Sequence, residues 1–299
     1  MARVFITGSA DGLGRMAADL LIEQGHRVVL HARSQARADE AKRNVPQAEA
    51  VVIGDLGLIA ETRNVAEQVN ALGAFDAVIH NAAVGYKEPK RIETNDGLSH
   101  VFAVNTIAPY ILTALIAKPK RLVYLSSMLH QNGDPTLEDM TWNARSWDGE
   151  QAYSDTKLHD VLLAFGIARR WPGVLSNALE PGWVPTKMGG TGATDDLNEA
   201  HRTQVWLAAS DQPEPYRSCG PGGLQSPRHS RSFRGGCWAP RRGDRSSQGG
   251  MGDAMGLTGD AGGADGASGG DGRWIQFRLD SLWRTRKRAC RREQHRFGR

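Results

Sequence analysis

The chain has 299 residues and a formal net charge of +4, from 37 Lys+Arg against 33 Asp+Glu, enough for one large domain or two small ones around a sizeable core. The charge is unevenly spread: residues 1–210 carry 20 basic and 24 acidic side chains, whereas residues 211–299 carry 17 and 9, together with 18 of the 35 glycines and all three cysteines, Cys219, Cys237 and Cys290. A first part without cysteine excludes a disulfide framework, a cysteine-based zinc site and a thiol nucleophile there. No apolar run approaches the ~20 residues of a membrane span, and no charged, apolar leader precedes Val4, so a cytoplasmic, reducing setting without membrane attachment is expected.

The first strand is read at Val4-Phe5-Ile6, followed by Thr7-Gly8-Ser9-Ala10-Asp11-Gly12-Leu13-Gly14 and a helical stretch from Arg15 to Gln24 stopped by Gly25. Glycines where a strand turns sharply into a helix N-terminus form a pyrophosphate cradle: Gly8 permits the turn, Gly12 lets the backbone approach the phosphates, and Gly14 allows close helix-to-strand packing. The second strand, Val28-Val29-Leu30, leads through His31-Ala32 to Arg33-Ser34. A carboxylate at that place would accept ribose hydroxyls, as NAD requires. Here a guanidinium and a hydroxyl stand instead, with Arg15 near the loop, so the expected cofactor is NADPH, its 2′-phosphate bound by charge-assisted hydrogen bonds.

Val51-Val52-Ile53 and Ala77-Val78-Ile79 read as the third and fourth strands, with a helix from Ile59 to Leu72 between them stopped by Gly73. Farther on, Pro109 lies four residues after Asn105. In a helix, Pro109 offers no N–H to the carbonyl of Asn105, which leaves two readings, a simple proline kink or a free carbonyl able to hold a water. Leu122-Val123-Tyr124-Leu125 forms the fifth strand and ends in Ser126-Ser127; a helix from Tyr153 to Arg170 precedes the sixth strand, Leu175 to Leu179. Continuous apolar strands separated by helices imply an α/β fold, a single doubly wound, Rossmann-like parallel sheet domain covered on both faces.

Tyr153-Ser154-Asp155-Thr156-Lys157 places a phenol and an ammonium four residues apart on one helix face. A phenol with an ordinary pKa of about 10 donates poorly near neutrality unless a cation stabilises its phenolate, and Lys157 is expected to supply that cation. The nine histidines, including His80, His130 and His159, show no metal-ligand spacing and read as polar surface or supporting groups. Trp142 and Trp147 read as packing residues that also suit the walls of a flat pocket.

With the glycine turn, this pair resembles the short-chain dehydrogenase/reductase family. The resemblance implies that Tyr153, Lys157, Ser127 and Asn105 are catalytic, with Ser126 as the alternative serine. Ser127 would polarise the substrate carbonyl, and the Asn105 carbonyl would hold a water that hydrogen-bonds Lys157 and refills the Tyr153 proton. It further implies a cofactor site drawn from Gly8, Ser9, Gly12, Leu13, Gly14, Arg33, Ser34, Asp55, Leu56, Asn81, Ala83, Tyr153, Lys157 and Thr186. Asn81-Ala82-Ala83 matches an Asn-Ala-Gly segment with alanine in the last place, and Thr186, in Pro181-Gly182-Trp183-Val184-Pro185-Thr186, would bind the carboxamide. The long insertion between Ser127 and Tyr153 is similar to the retinol-dehydrogenase-like branch. The run from Arg3 to about Ser210 also resembles daunorubicin C-13 ketoreductases of antibiotic biosynthesis, which implies a small-molecule aromatic ketone as substrate.

The likeness stops near Asp211. Residues 1–210 are therefore read as the NADP-binding reductase domain, and residues 211–299 as a low-complexity tail, expected to be disordered, without a seventh strand. Its Gly/Arg-rich, aperiodic composition is what a GC-rich gene yields when read out of frame, here near residues 211–220. The basic end from Arg273 reads as a solvated charge run in preference to a nucleic-acid patch, and a homo-oligomer depends on what the tail permits. A non-catalytic dinucleotide sensor is the reading from another class, and the intact Tyr153, Lys157, Ser127 and Asn105 speak against it. No metal is expected.

Overall fold

The computed structural model describes residues 1–210 and the pair Cys237–Trp238. Six parallel strands, β1 (Arg3–Ile6), β2 (Arg27–Ala32), β3 (Ala50–Ile53), β4 (Ala77–His80), β5 (Arg121–Leu125) and β6 (Leu175–Leu179), lie in the order β3-β2-β1-β4-β5-β6. A two-residue β7 (Cys237–Trp238) continues the sheet antiparallel to β6. It departs from the expectation of no seventh strand: two residues are too few to carry a period of two, so no pattern announces them. The remaining expectations for 211–299 lie outside the described residues.

Both sheet faces are covered, which explains the continuous apolar runs. Along β1 and β2, Phe5 and Val29 join the core beneath α3 (Ile59–Ala71), while Val4, Ile6, Val28 and Leu30 join the core with Ala17, Ala18 and Leu21 of α1 (Gly12–Glu23). Alternation along each strand thus feeds two cores from one sequence run. α2 (Gln35–Asn44) adds Ala38 and Ala41 to the second core, and Ser34 caps it by accepting from the Arg37 N–H.

α4 (His100–Phe102) runs into a π-helical turn over Ala103–Ile107 and then α5 (Ala108–Leu115). Pro109 sits in the first turn of α5, where a missing N–H costs little, and the irregularity it marks is a π bulge carrying Asn105. α6 (Gly149–Arg170) begins four residues before Tyr153, because the Asp148 carboxylate accepts from the N–H groups of Glu150 and Gln151 and starts the helix there. Two short helices, α7 (Leu197–Ala200) and α8 (Arg202–Ala209), follow β6, and Val205, Leu207 and Ala208 of α8 pack into the second core.

The insertion before α6 is a folded cap. Asp139 accepts from the backbone N–H groups of Asn143, Ala144 and Arg145, and Arg145 pairs with Asp155 while stacking on the Trp142 ring at 3.6 Å. Leu137 and Met140 join Phe102, Ile107 and Ile111 in a third apolar cluster. Trp142 is buried and meets Trp147 edge to face, and the Trp147 indole N–H donates to the Glu88 carbonyl. Both tryptophans serve packing. Among the described residues no helix is long and apolar enough to cross a membrane.

Candidate active site

Because the six strands are parallel, all their C-terminal ends meet at one edge, and the turns that follow them bring the expected site residues together there. Behind β1, Gly8 adopts φ +61°, and a Cβ at that position would stand 2.8 Å from the Ala82 Cα. The Asn81 amide donates to the carbonyls of Thr7 and Gly8, and the Thr7 hydroxyl accepts from the N–H groups of Asn81 and Ala82. A Cβ at Gly14 would fall 2.5 Å from the Asn81 amide nitrogen, so Gly14 is small for the sake of this lock more than for helix-to-strand packing. Asn81 and Ala82 are placed to hold the loop in shape, and Ala83, part-buried, follows them.

Gly12 has φ +56° and open space around it, and its N–H is taken by the Asp11 carboxylate. Leu13 and Gly14 follow in the first turn of α1, where a helix leaves N–H donors without intrahelical partners. An anionic diphosphate fits this cradle. Ser9 is fully buried: its hydroxyl donates to the Ile6 carbonyl and accepts from the His31 N–H, which stitches β1 to β2. Its backbone N–H donates to the His31 carbonyl as well, so Ser9 shapes the turn from beneath.

His31, hidden in an apolar strand, is a support that the sequence reading passed over. Its Nδ1 accepts from the Gly8 N–H at 3.0 Å, which leaves the proton on Nε2 to donate to the Gly54 carbonyl at 2.9 Å. Burial pushes its pKa down to about 4, so the ring is neutral and keeps this tautomer. His80 and His159 are buried as well, bonded to Thr113 and Thr106, so they are core groups and not surface ones. His130 sets its Nδ1 against the Ser127 carbonyl.

Arg33 stands exposed directly after β2, beside the Ser34 cap. Arg37, one turn into α2, pairs with Asp11 and Glu40 and adds a second guanidinium next to the glycine turn. Asp55 accepts from the Gly57 N–H, and Leu56 is buried in the core, so both shape the turn after β3. Thr186 accepts from the Gly189 N–H within the loop after β6, and the neighbouring Lys187 pairs with Asp11, tying that loop across the cradle. Among the described residues no group of three or more His, Cys, Asp or Glu could hold a metal ion.

At the other end of the edge, β5 separates the two serines. The Ser126 hydroxyl is buried and donates to the Lys157 carbonyl at 2.8 Å, whereas Ser127 is part-exposed and its hydroxyl is close enough to hydrogen-bond the Tyr153 phenol. Of the two hydroxyls, that of Ser127 is on the phenol's side. Tyr153 is 7% exposed, edge to face with Tyr86 at 5.6 Å, and its hydroxyl lies 3.9 Å from the Met188 sulfur. Tyr86 and Met188 thus line the phenol, although neither was singled out in the sequence.

The phenol departs from expectation. Burial raises its pKa above the ordinary value, Lys157 pulls it down, Asp160 pushes it up, and the bond to Ser127 lowers it. The net position is high because burial outweighs the pull of Lys157; the ammonium is itself engaged, its Nζ donating to the Leu125 carbonyl at 2.8 Å and to Asp160 at 2.9 Å, with both side chains buried. Burial opposes the charge on Lys157, yet the Asp160 carboxylate holds the ammonium pKa above its usual value. Burial also raises Asp160, to about 6, so the pair is ionised at neutrality.

The Asn105 side chain is used by the fold. Its side-chain carbonyl accepts from the Val84 N–H, and its amide donates to the Val84 carbonyl at 2.9 Å and to the Thr156 hydroxyl at 3.1 Å. It therefore ties the β4 turn, the π bulge and α6 together around Tyr153.

An uncharacterized oxidoreductase of Emericella nidulans is 52% identical over 205 residues, covering 68% of this chain and 78% of its own. The chain belongs to the short-chain dehydrogenase family. The model of that family, described as short chain dehydrogenase, matches residues 2–135. A Streptomyces protein named for daunorubicin C-13 ketoreduction is 31% identical, covering 71% of this chain and 79% of its own. Among solved structures, an uncharacterized protein from Mycobacterium paratuberculosis aligns with TM-score 0.61 at 28% identity, covering 71% of this chain and 78% of its own. This short-chain dehydrogenase is therefore an oxidoreductase with a Rossmann-like sheet.

Proposed function

We propose that this short-chain dehydrogenase reduces a ketone to a secondary alcohol with NADPH, and that its substrate is a flat aromatic ketone such as the C-13 side-chain ketone of daunorubicin or a related anthracycline. The observation that carries the chemistry is the meeting of Ser127 and Tyr153 at the sheet edge that also holds the glycine turn. NADPH, when bound, supplies the hydride. The cradle of Gly8, Gly12, Leu13 and Gly14 suits its diphosphate, Arg33 and Ser34 suit its 2′-phosphate, and Thr186 lies on the loop suited to its carboxamide.

Ser127 and Tyr153 hydrogen-bond the carbonyl oxygen as it gains charge, and Tyr153 donates the proton that makes the alcohol. A phenol held above its ordinary pKa is protonated near neutrality, so Tyr153 carries the proton that the alkoxide takes up. Of the three donors on the Lys157 ammonium, two are bound to Leu125 and Asp160 and one is left for a ribose hydroxyl. The aromatic substrate is supported by the apolar surroundings: the Tyr86 ring and the Met188 thioether line the phenol, and Met128 and Trp183, each about half exposed, follow Ser127 and Gly182 on the adjoining loops. The Streptomyces relative's name points the same way.

NADPH oxidation with daunorubicin, compared with a simple aryl ketone, tests the substrate. Faster turnover of the simple ketone would shift the reading to a reductase of small, retinal-like or steroid-like carbonyls. Tyr153→Phe is expected to lose on the order of a hundredfold or more in kcat while binding NADPH as before; a variant with near-normal turnover would remove Tyr153 from the chemistry.

A further inference from the structure

We propose that Asp160 is a positioning residue for Lys157: its buried carboxylate, paired with the ammonium, sets how much of that positive charge the Tyr153 phenol feels. The proposal rests on Tyr153 as the proton donor of the reaction. Tyr153, Lys157 and Asp160 occupy one face of α6 at spacings of four and three residues. The Lys157 Nζ lies 5.6 Å from the Tyr153 ring centroid but 2.9 Å from Asp160 Oδ2, so the carboxylate is the cation's near partner and the phenol its far one.

A cation stabilises a neighbouring phenolate, and a carboxylate at the cation's other side cancels part of that effect. With both charges about 3% exposed, little water screens either from the phenol. The other groups facing the pair do not replace this control. β5 contributes the Leu125 carbonyl and the Tyr124 phenol, which burial holds protonated, bonded to Thr113 of α5. From β4 comes His80, stacked on Tyr124 at 4.7 Å and kept neutral by burial. β6 (Leu-Ser-Asn-Ala-Leu) and the π turn (Ala-Val-Asn-Thr-Ile) contain no ionisable side chain. Asp160 is thus the counter-charge to Lys157, and it keeps the phenol protonated over a wider range of pH than an unpaired lysine would.

Ultraviolet difference titration of tyrosinate in the full chain tests this, each protein being read against the same protein carrying Tyr153→Phe so that the Tyr153 signal remains. Asp160→Asn, which keeps the shape and removes the charge, is expected to move the Tyr153 midpoint down by on the order of one pH unit, about tenfold more phenolate at a given pH. Asp160→Glu is expected to hold the midpoint near that of the unmutated chain. An Asp160→Asn midpoint that is unchanged or higher overturns the proposal, since a purely structural role would leave it in place. If Asp160→Asn does not fold, the double variant Asp160→Asn, Lys157→Met removes both buried charges and is expected to fold; a double variant that stays unfolded overturns the proposal too. The titration uses no substrate, so absent ketone reduction would remove the proposed function while leaving the Asp160 result readable.

Discussion

Arg33 shows how much a single exposed side chain can decide. It follows β2 without an intervening residue and precedes the Ser34 cap, with no carboxylate in the place that would favour NADH, and under the proposed function its guanidinium binds the 2′-phosphate. Charge-assisted hydrogen bonds to a phosphate contribute about 1.5–3 kcal/mol each. Arg33→Ala is therefore expected to raise KM for NADPH by roughly ten- to a hundredfold and to leave KM for NADH nearly unchanged. Steady-state kinetics with both cofactors checks this, and equal losses would transfer the role to Arg37, which pairs with Asp11 beside the same turn. The residue types at this end were legible because glycines and a terminal arginine follow directly from strand endings. His31 was not, because its use depends on a Gly8 N–H that reaches it from 23 positions away.

Among the elements, β5 and α6 carry the chemistry through their mutual packing. Strand alternation sends the Ser126 hydroxyl under α6, onto the Lys157 carbonyl, and leaves Ser127 at the open edge. Ser126→Ala is expected to cost about 1 kcal/mol and to lower Tm by a few degrees, with turnover kept. Ser127→Ala is expected to lose on the order of a hundredfold or more in kcat with Tm nearly unchanged. Thermal unfolding and NADPH oxidation on both variants distinguish them, and a reversed pattern would make Ser126 the catalytic serine. The doubled serine was plain in the sequence, but a motif of two adjacent hydroxyls does not say which faces the helix. The π turn was equally hidden: Pro109 marked an irregularity, whereas the bulge depends on Asn105 clasping Val84 and Thr156.

For the molecule as a whole, the buried ionisable groups set the response to acid. Burial lowers His31 and His159 to about 4 and His80 to about 3, so the unfolded chain, with histidines near their usual 6.5, binds more protons than the folded one between those values, and these groups make stability fall as pH drops through that window. Asp160, raised to about 6, and Glu180, raised to about 7 by burial, act in the opposite sense because the folded chain holds their protons longer. Three groups against two leave a net loss of stability on acidification from pH 7 to 5. Urea midpoints at the two pH values check this; a midpoint equal or higher at pH 5 would show that the two carboxyl groups outweigh the histidines. The order of residue types along the chain was enough to establish six covered parallel strands, a glycine turn for an anion and a phenol near an ammonium, because each is a local pattern imposed by backbone period and sterics. It did not reveal that Asp160 takes the ammonium, that Met188 shelters the phenol or that Cys237–Trp238 extends the sheet. Those depend on burial and on segments distant in sequence meeting in space, which create charge partners and contacts that no local period encodes.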